Sequence, residues 1–105
     1  MMKIPHKILI GESLYQVKQT KFISMSKESI VALINYDKKL IKLKSIKDTR
    51  LLEDHFFHEV SHGLLKELEF NHPKISNFRT NEAFIQELGL TLRITFLDLL
   101  KSQSV

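Results

Sequence analysis

Residues 58–62 read His-Glu-Val-Ser-His, the segment of this chain whose residue types and spacing can do chemistry. Two histidines four apart lie about one turn apart on one face of a helix, so both imidazoles can reach the same metal ion. Neutral imidazole is a good zinc ligand. The glutamate beside the first histidine points to the side of that face, where a carboxylate can hold a water against the metal and take its proton. The chemistry implied is hydrolysis assisted by zinc, with His58 and His62 as ligands and Glu59 as general base. The plain alternative is a pair of core histidines that flank a glutamate.

A zinc site of this kind needs a third protein ligand. Downstream the chain offers Glu67, Glu69, His72, Glu82 and Glu87. Glu67 lies across the helix from His58, while Glu69 and His72 stand too far along the same axis to fold back. A second helical stripe, Ile85, Leu88, Leu92, Phe96 and Leu99, is bordered by Glu82 and nearly opposed by Glu87. Gly89 lies close to the Glu82 side and would let two helices approach. Glu82 is the expected third ligand; its plain alternative is a first-turn charge favoured by the helix dipole. His55, one turn before His58, could polarise a substrate carbonyl or orient a ligand, or simply be a half-buried polar residue near the cleft. Tyr36 and His72 are further candidates for stabilising an oxyanion.

Around these residues the hydrophobic period changes. Up to residue 47 the chain reads as strands: Ile4 to Ile10, then Leu14 to Thr20 with Tyr15 and Val17 on one face, then Ile30 to Tyr36, a polar turn at Asp37-Lys38-Lys39, and Leu40 to Lys44. Ser24 to Ser29 reads as a loop or one helical turn. From Asp48 the period becomes 3.6. Asp48 or Thr49 can cap a helix running to about Glu69, ended by Asn71, His72 and Pro73. Residues 72–79 read as a loop. Thr80 or Asn81 can cap a second long helix ending near Leu100, with a frayed tail over Lys101 to Val105. The expected architecture is α+β: a small antiparallel sheet of about four strands packed on two or three helices, in one domain.

Composition narrows the chemistry further. Of 105 residues, 43% are hydrophobic and 27% charged, which suits a globular domain with one core and a surface cleft. With no cysteine, disulfides and thiolate ligands are excluded. No apolar run approaches the ~20 residues of a membrane span, and the start, MMKIPHKILIGES, reads as a first strand rather than a signal peptide. A soluble, intracellular protein is expected. Residues 1–50 hold 11 Lys/Arg against 4 Asp/Glu, and residues 51–105 hold 5 against 8. The lysines alternate with apolar residues, which reads as the wet face of a sheet. Without aromatic interleaving, a nucleic-acid partner is the last of the readings.

The whole pattern resembles the ImmA/IrrE-like metallopeptidases, especially short members encoded by phages and prophages. A β-rich part with a polar-turn hairpin precedes the HEVSH helix. A loop follows, then a helix opening Glu82-Ala83-Phe84-Ile85, with Glu82 standing 20 residues after His62. That spacing is also similar to gluzincins at large. Longer relatives carry Ala-Asn or Ala-Asp after the E-x-x and then Phe-Ala; this chain has Ile85-Gln86 and Leu88-Gly89. The resemblance implies a zinc metalloendopeptidase of the bacterial cytoplasm with His58, His62 and Glu82 on one Zn2+ and Glu59 as base. It implies a protein or peptide substrate, with a phage or host regulatory protein in view. A regulatory or interaction module that keeps the fold with little activity is the alternative.

Overall fold

A computed structural model describes residues 2–21 and 30–103. Four strands come first: β1 (Lys7–Ile10), β2 (Ser13–Thr20), β3 (Ala32–Asn35) and β4 (Leu40–Lys44). β1, β2 and β4 alternate inward apolar residues with outward ones, as a half-buried sheet requires, while all four residues of β3 are half-buried. Gly11 takes the left-handed conformation (φ +60°) in the turn between β1 and β2. Between β3 and β4, the Asn35 side chain accepts a hydrogen bond from the Lys38 amide (3.0 Å).

The expected α+β plan of four strands followed by helices holds, with one correction. The sheet is mixed rather than antiparallel, in the order β1-β2-β4-β3, and β2 pairs β4 in parallel. The β3–β4 hairpin sets β4, not β3, against β2, leaving β3 at the edge. The first strand is also shorter than Ile4 to Ile10. It begins at Lys7, since Pro5 has no amide to give a ladder, although Ile4 is still buried. The segment Ser24 to Ser29 lies outside the described residues.

Helix α1 (Thr49–Glu69) is capped by Asp48, whose carboxylate accepts from the Leu51 amide at 3.1 Å. It lies across the inner face of the sheet, where Phe56, Phe57 and Val60 meet Ile10, Tyr15, Val17, Ile41 and Leu43. Contact is tight at Gly63: a Cβ there would sit 2.8 Å from the Ile10 side chain. The segment read as a loop over residues 72–79 is instead a 3-10 turn (Pro73–Ile75) followed by a short helix, α2 (Ser76–Arg79). Proline opens that turn where its missing amide costs nothing.

Helix α3 (Glu82–Gln103) starts at Asn81, whose side chain accepts from the Phe84 amide at 3.0 Å. It runs three residues beyond the expected end near Leu100, with Lys101 to Gln103 in its last turn. α3 packs on α1 in the opposite direction. Glu82 meets His58 and His62, and Arg93 meets Glu53 and Asp54. At Gly89 a Cβ would stand 3.2 Å from the His58 backbone, so the close approach expected there is present. Glu53, fully buried, is held by Arg93 Nε (3.3 Å) and the Met2 amide (3.0 Å). No helix among the described residues is long and apolar enough to cross a membrane.

Candidate metal centre

α1 presents His58 and His62 on one side, their ring centroids 5.0 Å apart. The first turn of α3 brings Glu82 over both. Its two carboxylate oxygens stand 3.1 Å from His58 Nε2 and 3.4 Å from His62 Nε2. The three donor atoms lie within 4.8 Å of one another. Zinc bonds of ~2.0–2.1 Å at tetrahedral angles hold pairs of donors ~3.3 Å apart, close to the two distances to Glu82. The helix crossing makes this possible. Gly89 lets α3 sink onto the backbone of His58, and Glu82 stands two turns before it.

The protonation pattern fits a cation. His58 Nδ1 stands 3.0 Å from Gln86 Oε1, where the amide oxygen can accept the ring Nδ1–H and leave Nε2 facing Glu82. His58 Nε2 faces the Glu82 carboxylate at 3.1 Å, a spacing that either a shared proton or a metal ion bound to both can fill. Burial lowers the pKa of His62, with Glu82 opposing and His58 and Arg79 adding to the lowering. Burial likewise lowers that of His55. Neutral imidazole is the form that binds metal.

Glu59 is buried beside this cluster, only 6% exposed, and its Oε2 has no hydrogen-bond partner. Burial first, and the charge of Glu82 second, push its pKa up to about 7. A buried carboxylate oxygen without a donor is costly. A cation-held water next to it would satisfy that atom. The donor set and the orphaned oxygen thus both fit a zinc-type site of two histidines and a glutamate.

A cleft of about 370 Å³ opens from this cluster and is lined by Val31, Ala32, Leu51, Asp54, His55, His58, Glu59 and Gln86. His55 therefore shares the cleft with the candidate ligand and base, and its Nδ1 is buried without a partner. Tyr36, just past β3, lies within the influence of the Arg79 guanidinium. Its pKa is raised by burial, against the pull of Arg79, with smaller contributions from the charges of Glu59 and Glu69. His72 is not gathered in. It is exposed in the turn after α1, ten positions beyond His62. Glu87 is exposed on α3, as its place on the helical wheel implied, and Glu69 pairs with Arg79.

Two polar residues near the cluster escaped the sequence reading. Gln86 stands four residues after Glu82, hence on the same side of α3, and that spacing was the signal available. Arg79 lay in a segment read as loop. From α2 it reaches Glu69 and Tyr36, and its charge is felt by His62. Compared with known proteins, the chain matches no family model, no curated protein and no solved structure.

Proposed function

We propose that this chain is a zinc-dependent endopeptidase of the kind its HEVSH segment resembles, with His58, His62 and Glu82 as metal ligands and Glu59 as general base. The observation that carries the reading is the convergence of those three donors beside a buried, unpartnered Glu59 oxygen. Bound there, zinc would supply a Lewis acid next to the scissile carbonyl and the attacking water. Glu59 takes a proton from that water and returns it to the leaving amine. Gln86 Oε1, 3.0 Å from Nδ1, orients the His58 ring. Strand β3 is an edge strand, and Val31 and Ala32 at its start line the cleft. An extended peptide can add to that edge through backbone hydrogen bonds and lie across the cleft. His55 and Tyr36 are the nearest candidates to contact the substrate carbonyl. The substrate in this reading is a regulatory protein of a phage or its bacterial host.

Purified protein should carry about one zinc per chain, and His58→Ala or His62→Ala should remove most of it. Glu59→Gln should keep the metal while slowing cleavage of a true substrate by about 10²–10⁴-fold, the usual worth of a general base. A stable protein with no affinity for zinc in titration overturns the proposal. A second reading, an interaction module on the same fold, is favoured by apolar residues exposed along α3, with Ile94 63% and Leu99 55% accessible. It stands instead if Glu59→Gln binds the same partner and has the same biological effect as wild type.

A further inference from the structure

The sheet face turned away from α1 carries charge that the proposed chemistry does not use. Ile8, Ile10, Tyr15, Val17, Ile41 and Leu43 point inward, so Lys7, Lys18, Lys42 and Lys44 point outward. The four strands contain no acidic residue. Alternation alone reads as a solvated face, but the register adds something. Lys18 is directly opposite Lys42 in the parallel pair of central strands, and Lys44 follows two residues on. Lys7 is one strand away, opposite Gln16. Among the described residues no carboxylate pairs with any of the four. Like charges opposite one another destabilise a sheet, where a Lys–Glu pair would stabilise it. The arrangement is costly to an isolated protein and suits an anionic partner.

We propose that this face docks on the phosphate backbone of duplex nucleic acid without reading its sequence. The lysines form a grid, about 4.8 Å between strands and about 6.6 Å between alternate residues, matched to a dense row of point charges. They are all lysine, the residue for point-charge phosphate contact rather than a two-pronged grip on a base. The strand residues facing outward include no aromatic ring for base stacking, which argues against single strands. A membrane surface fits less well. Of the leucines on this face, Leu33 and Leu40 beside Lys42 are half-buried, and the exposed pair Leu9 and Leu14 lies at the far end of β2 from Lys18, so little apolar surface stands free among the lysines to insert into lipid. The proposal is independent of the metal centre, which lies on the other side of the sheet.

The test is binding of the full chain to a short labelled DNA duplex, followed by anisotropy over a salt series. Neutralising four lysines predicts log K falling with log salt at a slope of about −3.6. Lys18→Thr with Lys42→Thr should flatten that slope by about 1.8 and weaken low-salt binding at least about tenfold. The same double variant should melt no lower than wild type, since it removes a repulsion and keeps β-branched residues in the strands. Lys74→Thr, in the helical half, should change neither slope nor affinity, and Glu59→Gln should bind as wild type does. No binding at about 50 mM salt overturns the proposal. So does an unchanged slope in the double variant, or tight binding to phosphatidylserine vesicles with none to the duplex.

Discussion

Replacing Glu59 by glutamine should make the metal-free protein more stable, by a margin that opens as pH rises above about 4.5 and is complete above about 7. In the folded chain the Glu59 carboxyl is pushed from 4.5 up to about 7, by burial and then by Glu82. In the unfolded chain it titrates near its ordinary value. Below that value both states hold the proton, and the site imposes no penalty. As pH rises through the window between the two values, the unfolded chain releases a proton that the folded chain keeps. Folding therefore weakens by about 1.4 kcal/mol per pH unit. Above about 7 the penalty levels off at about 3 kcal/mol, from a shift of about 2.5 units. Glutamine has nearly the shape of the protonated acid and does not titrate, so it carries no such slope. Urea denaturation of chelator-treated protein should show the two chains alike near pH 4.5 and the variant about 3 kcal/mol more stable near pH 8. In a domain this size each kcal/mol moves Tm by roughly 4–8 °C, so a thermal scan reads the difference as well. Adding zinc should shrink it, because a cation beside Glu59 favours the ionised form. A stability difference that is the same at both pH values, or a variant less stable at pH 8, refutes the reasoning.

Glu82→Gln should weaken zinc binding by at least about tenfold, while Glu87→Gln on the exposed side of α3 should leave it unchanged; isothermal titration compares them, and equal losses remove Glu82 from the ligand set. Arg93→Met should cost about 3–5 kcal/mol in denaturant titration, because it leaves the fully buried Glu53 carboxylate without its cation. Gly89→Ala should lower both stability and zinc affinity, since its Cβ would stand 3.2 Å from the His58 backbone and must push α3 away from the ligand pair; a variant with unchanged zinc affinity separates that contact from the site.

Where local spacing carries the information, the sequence was readable. The 3.6 period through residues 49–69 put His58 and His62 on one face, and the wheel around Ile85 separated Glu82 from Glu87. Gly89 was likewise legible as a point of close approach. What spacing cannot express is which elements meet and from where. The parallel β2–β4 pair depends on β3 lying beyond β4 instead of beside β2, and no alternation within a strand records its neighbour. Arg79 was missed because proline and polar residues over 72–79 read as loop, whereas a 3-10 turn and a single helical turn fit the same composition. The reach of Gln86 to His58 follows only once the two helices are known to cross at Gly89. The charge opposition of Lys18 and Lys42 is a matter of register, invisible until the pairing is known.

Glu82 belongs to the first turn of α3 and its side chain is 68% exposed, whereas His58 and His62 sit in the middle of α1, 23% and 16% exposed. First turns fray, opening at low free energy without disturbing the rest of a helix. Two members of the donor set are therefore fixed to a rigid element and the third to a latch. In the proposed reading an arriving ion meets the two imidazoles first, and the latch closes over it. Release runs in reverse, so the lifetime of the bound ion is governed by the winding and unwinding of one helical turn. Amide hydrogen exchange reports this directly: residues 84–86 should become protected when metal is added, while Phe56 to Val60, already locked in the core, should exchange at the same slow rate with or without it.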